Sequence, residues 1–200
     1  SSGGHQLTDS VRGVGKTIVS SGTGAELSNY SLGYINSFEN DGVTLAKGSD
    51  SDGHYVNNKS GQTYVAWNWD MGGSNASNTT GSINSTVRAN PSYGQSIVSY
   101  TGTGSATTVG HGLSSAPEMI LVKSRTDAQH WSVYHASAGN QYGFRLNETG
   151  AQIDYPYWND TTPTSSVFSI GGNDFTNKSS SNFIAYCFHS VTGYSKFGKY

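Results

Sequence analysis

The chain has 200 residues, a net charge of −2 and charged side chains at only 12% of its positions, about half the ordinary share. Without a Lys/Arg cluster, nucleic acid is not expected as a partner, and no apolar run approaches the ~18 residues of a membrane span, so membrane insertion is not expected either. The single cysteine, Cys187, excludes an internal disulfide. Gly, Ser, Thr, Asn and Tyr are abundant, which is typical of β structure and not of a helical bundle.

Short apolar runs separated by clusters of Gly, Asn, Asp and Ser predict many strands and almost no helix. In chain order, the predicted strands are 16–20, 31–38, 42–47, 62–71, 96–101, 118–123, 130–135, 142–147, 166–170 and 182–189. Many short strands with turn residues between them favour an antiparallel sandwich. We therefore predict an all-β fold built from β-sandwich modules of the jelly-roll or lectin-like kind.

Two of the predicted strands belong to an internal repeat. The sequence NKSGQTYVAWNW at 58–69 returns as NKSSSNFIAYCF at 177–188, 119 positions later, with four identical residues. Because side chains alternate along a strand, each copy gathers large apolar side chains on one face. They are Val65, Trp67 and Trp69 in the first copy and Ile184, Tyr186 and Phe188 in the second. Such a face is what a central sandwich strand needs.

The repeat divides the chain into two related modules of unequal length. We assign residues 1–73 to an incomplete β-sandwich module and residues 92–200 to a complete one. Residues 74–91 are rich in Gly, Ser, Asn and Thr and have no apolar periodicity, which predicts a linker or an arm.

The first module is predicted to lack two strands. Residues 5–11 align with 127–133, 122 positions later, so the first copy begins after the counterpart of strand 118–123. It also has no counterpart of strand 96–101. Open edges of this kind need pairing from the second copy, a neighbouring subunit or upstream chain. We expect donation between subunits; truncation or divergence of the repeat is the alternative.

Several blocks resemble a known repeat family. They are HQLTDSVRG at 5–13, TYVAWNW at 63–69, SIVSYTGTG at 96–104, VGHGL at 109–113, PEMILVKSR at 117–125, PTSSVF at 163–168 and YCFHSVTGYSKFG at 186–198. Together they cover nearly the whole chain and are similar to a repeat family of aquatic phage and bacterial genomes. Its members are mostly uncharacterised, and many look like virion structural or tail-fibre-like proteins with tandem lectin-like β-sandwich modules. The resemblance implies a structural role outside the cell or on a virion surface.

We therefore expect a structural protein that needs no cofactor and has no enzymatic activity. Its expected partners are copies of itself in a homopolymer, an extracellular fibre or virion appendage held by sheet-edge contacts. Phage fibre and bacterial filament remain equal alternatives within that class. A lectin-like module that binds host or surface glycans is the second hypothesis, and a tail-associated polysaccharide hydrolase is the third.

An aromatic loop is the best candidate for a contact site. Tyr155, Tyr157 and Trp158 surround Pro156 in a predicted loop. Exposed rings on a rigid sandwich can stack on sugars, and aromatic side chains are also enriched at subunit contacts. The alternative is that these rings close the end of the core.

Metal binding has only weak support in the sequence. Asp50 and Asp52 precede a glycine, as at the start of a calcium loop, but no Glu follows at the twelfth position. An acidic turn is the simpler interpretation, with calcium as a minor option. His130 and His135 lie five residues apart in a predicted strand and therefore face opposite sides, so they cannot share a metal.

Catalytic motifs are missing as well. No Gly-x-Ser-x-Gly turn occurs, and the GVGKT sequence at 13–17 lacks the first glycine of a phosphate-binding loop. Glu148 and Asp154 are the nearest carboxylate pair late in the chain, yet both are predicted to flank turns instead of facing each other across a cleft. The sequence thus offers no residue to which a reaction can be assigned.

Overall fold

The structure, a computed structural model, describes residues 4–51 and 56–199. These residues form short strands and no helix, which confirms the all-β prediction. The strands are β1 (Gln6–Leu7), β2 (Lys16–Val19), β3 (Leu27–Ser28), β4 (Tyr34–Phe38), β5 (Val43–Ala46), β6 (Ala76–Asn78), β7 (Ser85–Asn90), β8 (Gln95–Thr101), β9 (Thr107–Gly110), β10 (Met119–Ser124), β11 (Ser132–His135), β12 (Tyr142–Arg145), β13 (Ile153–Asp154), β14 (Val167–Ile170) and β15 (Asn182–Phe188).

The described residues form four antiparallel sheets. The largest has eight strands in the order β13-β12-β11-β10-β15-β8-β7-β6. Strand β15 lies near its centre and pairs along its length with β8 and with β10. The smaller sheets are β1-β2-β3, β4-β5 and β14-β9. The second copy of the internal repeat therefore supplies a central strand, as the apolar alternation predicted.

One face of the large sheet forms the main core with the β14-β9 pair. From β15, Phe183, Ala185 and Cys187 point into this core and pack with Phe168 of β14 and Val109 of β9. Two sheets packed face to face are the defining feature of a sandwich. Burial raises the pKa of the Cys187 thiol to about 12, which keeps it protonated and unreactive.

The opposite face of the large sheet is covered by the N-terminal residues. Ile18 of β2 is completely buried against Ile184 and Trp131, and Leu7 packs at the edge of the same cluster. The indole N–H of Trp131 donates a hydrogen bond of 3.1 Å to the carbonyl of Val19. Full burial of Ile18 is worth ~1.5–3 kcal/mol. The N-terminal strands therefore fold onto the second module.

Residues 74–91 differ from the predicted linker. Strands β6 and β7 lie within this range and extend the large sheet beyond β8. Val87 is the one buried apolar side chain of β7, and the hydroxyl of the buried Ser85 donates to the carbonyl of Gly110 at 3.0 Å. One apolar residue gives too weak an alternation to predict a strand. Of the two predictions for this range, a free linker is wrong, and residues 85–90 pack as an extended strand.

The predicted strand at 62–71 is also corrected. Residues 62–70 are exposed throughout, and the structure places them in no sheet. Their sequence resembles that of β15, so local propensity favours a strand in both places. A strand forms only where neighbouring backbone can pair with it, and β15 has β8 and β10 for this purpose.

Candidate functional site

The N-terminal sheet is a structural copy of β11-β12-β13. When 126 is added to both residue numbers of a pair in the first sheet, the result is a pair in the second. The N-terminal pairs are Gln6↔Val19, Leu7↔Ile18, Lys16↔Ser28 and Thr17↔Leu27. The C-terminal pairs are Ser132↔Arg145, Val133↔Phe144, Tyr142↔Asp154 and Gly143↔Ile153. Identical register through both ladders indicates a duplicated meander. We call the first meander and the repeat segment after it the N-terminal copy, and the second meander with its neighbouring strands the C-terminal copy.

The hydrogen bonds that flank the strands follow the same spacing. The N–H of Ser20 donates to the carbonyl of His5 at 3.0 Å, and that of Leu146 donates to the carbonyl of Trp131 at 3.4 Å. Each meander thus begins with an additional paired residue ahead of its first strand. The duplication therefore extends beyond the strands themselves.

The turn after the first strand is duplicated too. The N–H of Val11 donates to the side chain of Asp9 at 2.9 Å, and the N–H of Ser137 donates to the side chain of His135 at 3.3 Å. Each turn also contains a glycine with a positive φ: Gly13 at 87° and Gly139 at 93°. Side chains that accept a backbone hydrogen bond two residues on, and glycine at positive φ, both stabilise such turns.

The alignment of 5–11 with 127–133, which the sequence suggested, is wrong by four positions. The hydrogen-bonded pairs make His5 the equivalent of Trp131, 126 positions later. Few residues are identical between the two meanders, so the alignment of the two sequences gave the wrong register. Register is a backbone property set by pairing and turn geometry.

The first copy of the internal repeat contains residues 63–69, which we call the exposed segment. It is the counterpart of β15 at the spacing of 119. Val65 is 81% exposed, Trp67 79% and Trp69 56%. Among the described residues, no hydrogen bond reaches the backbone of residues 65–69. A sequence that forms a central strand in one copy therefore lies in solvent in the other.

The exposed segment has a local contact at its N-terminal end and is attached to the fold at its C-terminal end. The Tyr64 hydroxyl accepts a hydrogen bond of 3.0 Å from the N–H of Lys59. The carbonyl of Asp70 accepts a bond of 2.6 Å from the side-chain amide of Gln95, and the next residue, Met71, packs against the core cluster around Ile18. The segment is thus held in place while its apolar side chains face solvent.

The apolar face of this repeat is buried in one copy and exposed in the other. In β15 the equivalent side chains Ile184 and Tyr186 are buried under the N-terminal sheet. In the exposed segment the corresponding side chains are Val65 and Trp67, and both are largely in water. Contiguous exposed apolar residues on a soluble protein commonly mark a contact site.

The aromatic loop, in contrast, belongs to the core. Tyr157 and Trp158 are each 1% exposed, and Trp158 packs edge-on against Tyr134. Tyr155 is half-buried with its ring 5.5 Å from that of Phe175. Tyr157 and Trp158 therefore present no ring to a sugar or to a second subunit, and the loop closes the end of the core. Because the aromatic residues of the loop are irregularly spaced, sequence periodicity does not show that they are buried.

The candidate calcium position is only partly described. Asp50 is exposed, and its backbone N–H donates to the carbonyl of Ser31, 19 residues earlier, at 3.0 Å. Asp52 lies outside the described residues. Within 4–51 and 56–199, no group of three or more His, Cys, Asp or Glu side chains could hold a metal ion.

The carboxylate pair considered for hydrolysis is divided between two environments. Glu148 accepts a hydrogen bond of 3.1 Å from Arg145, and its other oxygen lies 3.2 Å from His130. Asp154 lies in the two-residue edge strand β13. The contacts of Glu148 therefore hold the turn that follows β12.

The chain belongs to the family described as Domain of unknown function (DUF7483), whose model matches residues 1–200. No curated protein and no solved structure matches it. Within the described ranges, no helix has the length and apolar character needed to cross a bilayer. Because a fold alone does not define an activity, the function is inferred from the exposed segment.

Proposed function

We propose that the protein is a structural subunit that assembles with copies of itself through backbone pairing at open sheet edges. The observation that carries this proposal is the exposed segment, which has the sequence of a central strand, three large apolar side chains in solvent, and a backbone at 65–69 without hydrogen bonds among the described residues. Addition of a strand to an open edge is an established mode of protein association.

The energetics favour a contact that uses both side chains and backbone. Removal of Val65, Trp67 and Trp69 from water contributes ~1.5–3 kcal/mol for each side chain. Association costs about 4–15 kcal/mol in lost freedom, so burial of this face roughly offsets that cost. Interstrand hydrogen bonds add ~0.5–1.5 kcal/mol each. Stable assembly therefore requires a paired strand and not merely an apolar patch.

The edge strands of the described sheets are less suited to this contact. The large sheet ends in β6 and β13, which have three and two residues, and short edge strands discourage pairing. The hairpin strand β5 has four residues, with Val43 and Leu45 about one-third exposed. The exposed segment is longer and more apolar, so it is the preferred contact.

The setting of this assembly, an extracellular fibre or a virion appendage, is part of the same proposal. Its support is the resemblance of the sequence blocks to virion structural and tail-fibre-like repeat proteins. A low share of charged residues and an abundance of Gly, Ser, Thr and Asn accord with surface-exposed β structure.

The proposal is tested by measuring mass against concentration for purified protein, using light scattering and negative-stain microscopy. The wild-type protein should form regular oligomers or filaments as concentration rises. The Val65→Ser/Trp67→Ser variant should remain monomeric. Leu146→Ser, at an exposed apolar residue outside the segment, is the matched control and should assemble normally. A wild-type protein that stays monomeric at all concentrations would contradict the proposal.

A glycan-binding module is a second candidate, favoured by the exposure of Trp67 and Trp69. The two residues are separated by one position, so in an extended chain their rings project from one face, and such rings can stack on sugars. Glycan-array binding by monomeric protein, lost in Trp67→Ala and Trp69→Ala, would support this candidate. Tyr157 and Trp158, which the sequence suggested for that role, are buried.

A further inference from the structure

One of the strands that the N-terminal copy lacks has a defined place in the C-terminal copy. In the C-terminal copy, β10 lies between β11 and β15 and pairs with both in antiparallel fashion. The counterparts of those two strands in the N-terminal copy are β1 and the exposed segment. In the part of the chain that the structure describes, β1 pairs only with β2. No strand among the described residues therefore takes the position equivalent to β10.

We propose that the N-terminal copy is an acceptor for one β-strand from a neighbouring subunit, which pairs with β1 on one side and with the exposed segment on the other. This inference rests on the proposed function for the source of the strand. It adds the location, direction and register of the contact, and the chemistry of the segment that fits.

The register follows from the duplicated ladders. Leu121 of β10 pairs with Val133 on one side and with Tyr186 on the other. The N-terminal counterparts of these neighbours are Leu7, 126 positions before Val133, and Trp67, 119 positions before Tyr186. One residue of the incoming strand should thus lie between Leu7 and Trp67, and the strand should run antiparallel to both neighbours.

The free edge of β1 has backbone groups available for this pairing. His5 accepts a backbone bond from Ser20, and residues alternate in direction along an antiparallel strand. His5 and Leu7 therefore direct their backbone groups toward β2, whereas Gln6 directs its N–H and C=O away from it. Ser132 is the counterpart of Gln6 in the C-terminal copy, and it pairs with Val122 of β10. The N–H and C=O of Gln6 are therefore the groups that would pair with an incoming strand.

The side chains of the acceptor define what the incoming strand must contain. On one face, the residue between Leu7 and Trp67 meets apolar neighbours and should be aliphatic or aromatic. On the other face, the next residue lies between Gln6 and Ala66, so small or polar side chains are tolerated there. The expected occupant is an extended segment without proline, uncharged at the position that contacts Trp67.

A synthetic peptide with the sequence of residues 118–125, EMILVKSR, is the natural probe because it carries the strand that fills this position in the C-terminal copy. Fluorescence anisotropy of the labelled peptide measures its binding to the intact protein. The control peptide carries Leu121→Pro, which removes an N–H and breaks the ladder. The protein variants are Trp67→Ser and, as the matched control, Leu146→Ser.

The expected result is saturable binding of one peptide per protein, at least about tenfold weaker for the Leu121→Pro peptide and for Trp67→Ser, and unchanged for Leu146→Ser. Circular dichroism of each variant verifies that the fold is retained. Absence of binding, or equal binding to wild type and Trp67→Ser, would overturn the acceptor site.

The peptide experiment also separates this inference from the proposed function. If wild-type protein forms polymers that the peptide neither binds nor dissociates, assembly stands and the acceptor site is wrong. If the peptide binds as expected to a protein that never self-associates, the acceptor site stands and the homopolymer is wrong. Dissociation of polymers by the wild-type peptide, but not by the Leu121→Pro peptide, would support both.

Discussion

The hydroxyl of Tyr186 donates a hydrogen bond of 2.6 Å to Oδ2 of Asp9, a residue 177 positions earlier in the chain. The same oxygen accepts a bond of 2.5 Å from Nε of the buried Arg12. Burial, and then the nearby Asp9 carboxylate, raise the pKa of Tyr186 well above its usual value, which keeps the hydroxyl protonated as a donor. The first turn of the N-terminal copy is thus fixed to the central strand.

This buried group predicts a graded loss of stability. Tyr186→Phe removes one donor, yet Asp9 keeps its bonds to Arg12, so the free energy of unfolding should fall by about 1.5 kcal/mol. Asp9→Ala leaves the Arg12 charge buried without its closest carboxylate, and the loss should be about 3–5 kcal/mol. Urea unfolding measures both. Equal losses for the two variants would show that the ion pair is not the main contribution.

Two tryptophans provide a second, matched prediction. Trp158 is 1% exposed within the main core, so Trp158→Ala should cost about 3–5 kcal/mol of unfolding free energy. Trp67 is 79% exposed, so Trp67→Ala in dilute monomeric protein should change stability by no more than about 0.5 kcal/mol. Thermal and urea unfolding test this pair. A large loss for Trp67→Ala would mean that this side chain already packs within the monomer.

Lys123 gives a prediction about pH. Its ammonium is buried and donates to the carbonyls of Ser124 at 2.7 Å and Asp127 at 3.3 Å. Removal from water lowers the pKa of Lys123 from its usual 10.5 to about 8. Between these values the unfolded chain binds more protons than the folded one, so the folded state gains stability as pH rises.

The measurement is the difference in unfolding free energy between wild type and Lys123→Met at pH 7.5 and at pH 9.5. Because other groups titrate in both proteins, the difference isolates Lys123. It should shift in favour of wild type at the higher pH. A difference that is constant, or that shifts toward Lys123→Met, would contradict the lowered pKa.

The sequence predicted β15 well and β7 not at all. Strand β15 was expected at 182–189 and is observed at Asn182–Phe188 because every one of its inner positions is apolar and both of its faces are buried. Strand β7 buries only Val87 among its apolar side chains and relies on polar contacts, so its alternation is weak. Periodicity reports buried strands more reliably than partly polar ones.

The candidate site shows a different limit of the sequence. The repeat marks 63–69 as a counterpart of β15, yet the strand that the same pattern predicted at 62–71 is wrong. Pairing depends on neighbouring strands, which local sequence does not encode. For Tyr157 and Trp158 the sequence left open a contact role and closure of the core, and both side chains are buried. Composition marks aromatic residues without indicating which of them the fold buries.

The central claim is that the backbone of the exposed segment becomes hydrogen-bonded when subunits associate. Hydrogen–deuterium exchange, read by mass spectrometry on peptides that cover residues 63–69, tests it most directly when dilute monomer and concentrated protein are compared. We predict fast exchange in the monomer and exchange slowed by at least about tenfold in the assembled state, with no slowing in Val65→Ser/Trp67→Ser. Equally fast exchange in monomer and assembly would contradict the claim.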